Sequence, residues 1–124
     1  MEYNIYDVVL DARLRKRPGM FIGDVSPNNL HVFLRGYQNA MEDAGVVDVS
    51  APSFHEFHDW IAGKFGFSNS TAGWHRMILA MTLMLEPENV DWESYDRNVT
   101  RQQLTEATRR CFDLIEEFRG ASTC

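Results

Sequence analysis

The stretch SPNNLHVFLRGYQNAMEDAG, residues 26–45, decides the fold class because it contains a complete helical pattern. Ser26 is a favoured N-cap residue, Pro27 suits the first helical position, and Gly45 is a favoured helix stop. Apolar residues recur between these ends at spacings of three and four, at Leu30, Phe33, Leu34, Tyr37, Met41 and Ala44. This pattern predicts an amphipathic helix with one face in the core.

Four other segments have the same spacing, which predicts a single all-α domain over residues 1–124, built as a bundle of about five helices. They are residues 5–14, ended by Pro18 and Gly19; residues 54–65, capped by Ser53; a helix that starts near Ser70 or Thr71 and stops before Pro87; and residues 101–118, capped by Thr100. The run MILAMTLML, residues 77–85, is apolar nearly all round. We therefore expect the fourth helix to be the most buried.

Bulk composition narrows the classes of function. The chain has 124 residues, 44% of them hydrophobic, and a net charge of −6. Such an acidic domain repels nucleic acid and anionic membranes and attracts basic partners, so we expect neither nucleic acid nor membrane among its partners.

The N-terminal region lacks the charged-then-apolar order of a signal peptide and no run of 18 apolar residues occurs, which predicts a cytoplasmic protein. Of the two cysteines, Cys111 is expected to be buried and Cys124 is the last residue, so no disulfide is predicted.

The string RKRPGMFIGD, residues 15–24, together with Asn39-Ala40, resembles the start of the gyrase B type ATPase domain. In that family a Glu four residues before the Asn activates the attacking water. That position is Arg35 here, and a guanidinium cannot act as a base at neutral pH. The family's later glycine-rich segments are also missing. We therefore expect no nucleotide hydrolysis, and we interpret the string as a Pro-Gly turn that joins two helices and packs residues 20–22, in an extended or irregular conformation, under the second.

A second resemblance extends nearly from end to end. It rests on the strings RPGMFIG, LHVFLRGY, FHDWIAGKF, STAGWHRMIL and FDLIEEF. Together these strings resemble the pattern of small helical bacterial immunity proteins from contact-dependent and polymorphic toxin systems. The resemblance implies a non-catalytic, cofactor-free inhibitor that binds a cognate toxin. Because the chain is acidic, we expect a basic toxin of the nuclease type, whose active or substrate-binding surface the inhibitor would occlude.

The segment EPENVDWESYD, residues 86–96, is the candidate toxin-binding surface. Its residues are the carboxylates Glu86, Glu88, Asp91, Glu93 and Asp96 and the aromatics Trp92 and Tyr95. Carboxylates that pair with Lys or Arg, together with aromatic anchors, are common components of binding hot spots. The alternative interpretation is an ordinary solvated loop whose Trp92 folds into the core.

Histidines supply the alternative functions. His55 and His58 are three residues apart on one predicted helix, which would suit a metal site, but the stricter His-Glu-x-x-His spacing is absent. His75 would be a general base in a small enzyme. We expect neither a metal nor a catalytic residue, and a non-catalytic adaptor domain is the third interpretation. The basic cluster Arg13, Arg15, Lys16 and Arg17 is interpreted as a solvated helix end.

Overall fold

A computed structural model describes residues 1–68 and 71–121, and it confirms the predicted helical fold class. The elements run in the order β1 Glu2–Tyr3, α1 Ile5–Val9, α2 Ala12–Lys16, α3 Gly19–Ile22, α4 Pro27–Asp43, β2 Val47–Asp48, a 3₁₀ turn Phe54–Glu56, α5 Phe57–Phe65, α6 Trp74–Thr82, a 3₁₀ turn Pro87–Asn89 and α7 Arg101–Ala121. The described residues thus form seven α-helices where about five were expected. Two short helices near the N-terminus account for the difference.

The predicted first helix is two helices, because the side chain of Asp11 starts a new one. Asp11 Oδ1 accepts a hydrogen bond from the backbone N–H of Arg13 at 2.8 Å, as an N-cap does. A residue that caps α2 cannot also continue α1, so the chain turns between Leu10 and Ala12.

The prediction that residues 20–22 pack under the second helix is correct only for Ile22. These residues form one helical turn, α3, rather than an extended segment. Met20 is 75% exposed and Phe21 is 44% exposed, whereas Ile22 packs against the core. A helical turn spreads consecutive side chains around its axis, so a single turn cannot direct all three inward.

Helices α4 and α7 follow their predicted caps, whereas Ser53 caps the 3₁₀ turn Phe54–Glu56 and α5 starts three residues later than predicted, at Phe57. The backbone N–H of Asn29 donates to Ser26 Oγ at 3.0 Å at the start of α4. Ser53 Oγ accepts from the N–H of His55 at 3.4 Å, and Gly66, with φ +82°, ends α5. Helix α7 begins directly after Thr100 and reaches Ala121, three residues beyond the predicted end.

Helix α6 is shorter than predicted at both ends. It begins at Trp74, after Gly73 with φ +99°, and it ends at Thr82, well before Pro87. Residues Met77, Ile78 and Ala80 are buried as expected, but the chain leaves the helix before the end of the apolar run. Ser70, the alternative start of this helix, and Cys124 lie outside the described residues.

A short parallel strand pair was not predicted. β1 and β2 pair in the register Glu2↔Val47 and Tyr3↔Asp48. The N–H of Val47 donates to the carbonyl of Met1 at 3.0 Å, and that of Val49 donates to the carbonyl of Tyr3 at 2.8 Å. Two residues per strand are too few for an alternating pattern to be visible in the sequence.

Helix α6 lies at the centre of the core, in contact with α4, α5 and α7. One cluster of buried side chains contains residues of α1, α2, α4, α5, α6 and α7. Cys111 of α7 is buried as predicted, and burial raises the pKa of its thiol. None of the helices in the described parts of the chain has the length and apolar character needed to cross a bilayer.

Candidate functional site

The acidic segment starts at an unusual helix end. After α6 the N–H of Met84 donates to the carbonyl of Met81 at 3.0 Å, and the N–H of Leu85 donates to that of Ala80 at 3.1 Å. This pair of bonds is a Schellman motif, which places one residue in the left-handed conformation. That residue is Met84, with φ +62°, and within the described residues no other non-glycine residue has a positive φ. Its side chain is 89% exposed.

Asp91 organises the second half of the segment. Its Oδ1 accepts from the backbone N–H of Glu93 at 3.1 Å, and its Oδ2 accepts from Ser94 Oγ at 2.8 Å. The N–H of Tyr95 donates to the carbonyl of Asp91 at 2.8 Å. The bonds from Ser94 and Glu93 lower the pKa of Asp91. Asp91 therefore shapes the turn as well as contributing charge.

The two aromatic residues of the segment face the core and are partly covered. Trp92 packs on buried Phe67, with ring centroids 5.8 Å apart, and Tyr95 packs edge-on against Trp92 at 5.2 Å. Burial raises the pKa of Tyr95 to about 12. These contacts agree with the interpretation in which Trp92 folds inward, so the aromatic rings support the segment from beneath.

The carboxylates of the segment point to solvent, and the charge of Arg97 contributes to the lowered pKa of Asp91. Glu86, Glu88, Asp91, Glu93 and Asp96 are all exposed, and none of them forms an ion pair with a described residue. We call these five residues the acidic surface. The carboxylates of α7 differ, because Asp113 and Glu116 pair with Arg15, Glu117 with Lys64, and Glu106 with Arg109. Ion pairs therefore neutralise negative charge on α7 but not on the acidic surface, where the carboxylates can attract a basic partner.

The histidines gather around a separate cleft of about 630 Å³. His31, His55 and His58 line it, together with Arg35 and Glu42 among others. The sequence singled out the two histidines of the 54–65 segment and His75, but it gave no signal for His31. No local pattern reveals that α4 and α6 bring two histidines together.

His31 and His75 stack face to face, with ring centroids 4.1 Å apart and planes 17° apart. His75 is buried, and its Nδ1 has no hydrogen-bond partner among the described residues. Burial, followed by the charges of His31, Arg76 and His58, lowers the pKa of His75 to about 4. A histidine with so low a pKa is a weak base at neutral pH.

The same geometry does not favour a metal. Imidazole lone pairs lie in the ring plane, so two nearly parallel stacked rings direct their nitrogens past each other. In the described part of the chain, no group of three or more His, Cys, Asp or Glu side chains is arranged to hold a metal ion. His31 lines the cleft and stacks on His75, which borders a different depression beside Tyr95 and Asp96.

Two of the four basic side chains of the cluster form ion pairs with described residues. Arg15 binds Asp113 at 2.6 Å and Glu116 at 2.8 Å, which joins α2 to α7, and Arg13 binds Asp11 at 3.1 Å. Arg13 is largely solvated, as the interpretation of a solvated helix end expects, whereas Arg15 is held between α2 and α7. The N-terminal part of the RKRPGMFIGD string therefore has a structural role.

No protein-family model, curated protein or solved structure matches this chain. The resemblance to immunity proteins stays a prediction, and function has to be inferred from the geometry and charge of the described residues. The acidic surface is the candidate that combines exposure, negative charge and a defined local conformation.

Proposed function

We propose that this chain is an immunity protein that binds and neutralises a basic protein toxin in the bacterial cytosol through the acidic surface. The observation that supports the proposal most directly is the set of five exposed carboxylates within residues 86–96 that lack ion pairs with described residues. Such a concentration of charge accelerates encounter with a basic partner by electrostatic steering.

Inhibition by occlusion follows from the same chemistry. A nuclease-type toxin binds its polyanionic substrate with Lys and Arg side chains, because phosphate contacts dominate affinity for nucleic acid. Exposed carboxylates form charge-assisted hydrogen bonds with those same side chains. The packing of Trp92 on Phe67 and the hydrogen bonds of Asp91 hold the segment in one conformation, which lowers the entropy that binding must remove.

Reversal of charge on the acidic surface tests the proposal. The variant Glu86→Lys, Glu88→Lys, Glu93→Lys leaves Asp91 in place because Asp91 shapes the turn. The product of the neighbouring gene is co-expressed, and its co-purification, affinity and toxicity are measured. We expect affinity to fall at least about a hundredfold and protection to be lost, since each close charge pair is replaced by repulsion.

The matched control has the same net charge with the changes placed elsewhere. Asp24→Lys, Asp43→Lys and Glu56→Lys alter exposed carboxylates outside the segment that likewise lack ion pairs with described residues. This variant should retain protection and most of the affinity. Equal losses in both variants would assign binding to net charge alone, and unchanged binding in the first variant would rule out the acidic surface.

A further inference from the structure

We propose that Met84 is the apolar anchor of the acidic surface, and that it inserts into an apolar pocket rimmed by Lys or Arg on the partner. This inference rests on the proposed function for the location of the surface. It adds the residue that provides apolar contact, a role that the sequence assigned to Trp92 and Tyr95.

The first observation is that methionine occupies a position where glycine is favoured. A residue with a Cβ is strained in the left-handed conformation, so this position of a Schellman motif is usually glycine. The chain follows that preference at the ends of α4 and α5. Gly45 with φ +77° follows α4, and Gly66 with φ +82° ends α5. Only after α6, among the described helix ends, does a long side chain take the left-handed position.

The second observation is that the Met84 side chain gains almost nothing within the molecule in return. It is 89% exposed, whereas Leu85, the next residue, packs against the core. The backbone gains the two Schellman hydrogen bonds from this conformation, but glycine would form the same bonds with less strain, and strained conformations cluster at functional sites. The structure therefore presents this side chain to solvent at the cost of local strain.

The third observation is the charge beside it. Glu86 and Glu88 follow two and four residues later, and both are exposed without an ion pair to a described residue. A flexible apolar side chain flanked by carboxylates is complementary to an apolar depression with a basic rim. Methionine suits such a depression because its unbranched thioether adapts to irregular shapes. The carboxylates would then pair around the buried anchor, as in a hot spot with a polar rim.

Met84→Gly separates binding from stability. The probe is a synthetic amphipathic peptide made of Leu and Lys, compared with a second peptide in which Ser replaces every Leu. We expect the unaltered protein to bind the Leu-containing peptide about tenfold more tightly, because that peptide buries the anchor. Met84→Gly should lose that preference and keep the salt-sensitive binding of both peptides. Its Tm should stay equal or rise by up to about 5 °C as the strain is relieved.

Met20→Ser is the matched control, because Met20 is also highly exposed but lies on α3 beside basic residues. This variant should keep the preference for the Leu-containing peptide. The proposal is wrong if the unaltered protein has no preference, if Met84→Gly retains it, or if Met84→Gly lowers the Tm. If the protein dimerises in sedimentation experiments, and if both Met84→Gly and Met20→Ser abolish the dimer, then Met84 contacts a second copy of the chain and not a basic partner.

These outcomes are distinct from those of the charge-reversal experiment. The peptides contain no toxin sequence, so a Met84-dependent preference can be found even where the neighbouring gene product fails to bind. In that case the proposed function fails and the anchor remains. Toxin binding that depends on the three glutamates, combined with peptide binding that ignores Met84, would leave the proposed function intact and remove the anchor.

Discussion

At the scale of single residues, the behaviour of His75 depends on the side chains and backbone packed around it. Its ring stacks on His31 of α4 and lies against Gly73, where an added Cβ would be 2.7 Å from His75 Cε1 and 2.9 Å from Nδ1. Gly73 is therefore required both for its φ of +99° and for the space that it leaves to the ring. The contact between α4 and α6 accommodates a neutral His75 ring. If the ring were protonated, its Nδ1 proton would have no hydrogen-bond acceptor among the described residues.

The lowered pKa of His75 makes stability depend on pH. The pKa is about 4 in the folded protein and 6.5 in the unfolded chain, so the unfolded state binds the proton more readily. Stability is fully present above pH 6.5 and falls as the pH drops from 6.5 towards 4. We expect the free energy of unfolding in urea to be lower by about 2 kcal/mol at pH 4.5 than at pH 7.

His31 contributes in the same direction, because burial lowers its pKa as well. Replacing His75 with Gln should remove most of the pH dependence. A stability that is flat between pH 7 and 4.5 in the unaltered protein would contradict the buried stack.

At the scale of single elements, the start of helix α7 is fixed by two reciprocal hydrogen bonds. The N–H of Gln103 donates to Thr100 Oγ1 at 3.1 Å, and the N–H of Thr100 donates to Gln103 Oε1 at 2.9 Å. This arrangement is a capping box, which satisfies donors that the first turn of a helix leaves unpaired. The ion pairs of Arg15 and Lys64 then attach the outer face of α7 to α2 and α5.

Loss of the cap should weaken the whole protein, because α7 buries five apolar side chains, namely Ala107, Cys111, Phe112, Ile115 and Phe118. We expect Thr100→Ala to lower the free energy of unfolding by about 1 kcal/mol in urea titrations. Thr105→Ala is the control, because Thr105 is exposed within the helix and its hydroxyl donates only to the carbonyl of Arg101. A loss of the same size in both variants would contradict the role of the cap.

At the scale of the whole molecule, aromatic packing unites the helices. The ring of Phe57 contacts those of Phe54, Trp60, Trp74 and Phe118, at centroid distances from 5.3 to 6.1 Å. These partners belong to the first 3₁₀ turn, α5, α6 and α7. Phe57 itself is fully buried, so its surroundings cannot be hydrated without opening the core.

Phe57→Ala should therefore be among the most damaging single substitutions. We expect it to lower the free energy of unfolding by about 3 to 5 kcal/mol, from lost burial and an unfilled cavity. Phe21→Ala removes an equal side chain from the exposed turn α3, and urea titrations should show a change below about 1 kcal/mol. Similar losses in the two variants would mean that α3 belongs to the cooperative core.

The sequence predicted those elements whose signals are local. Ser26 and Thr100 cap α4 and α7, and the spacing of apolar residues extends over several turns of each. The break at Asp11 and the end of α6 at Met84 were missed for one reason. A side-chain cap inside an apolar stripe, or a left-handed methionine, depends on a balance of small energies that periodicity does not report.

Some features of the candidate site could likewise be predicted from the sequence, and others depend on the tertiary fold. The exposure of the five carboxylates follows from their charge and was expected from sequence. The inward position of Trp92 depends on Phe67, 25 positions earlier, and the His31–His75 stack depends on the packing of α4 on α6. Such long-range contacts are set by the tertiary fold, so residue type and spacing could not distinguish an anchor from a supporting ring.

The β1–β2 pair is short, but it affects how readily the cleft can open. Tyr3 and Val47 form part of the wall of the cleft, and few hydrogen bonds hold that wall together. Segments with few backbone bonds open at a small fraction of the free energy that global unfolding requires. Detachment of Glu2 and Tyr3 from β2 would widen the entrance of the cleft while every long helix stays folded.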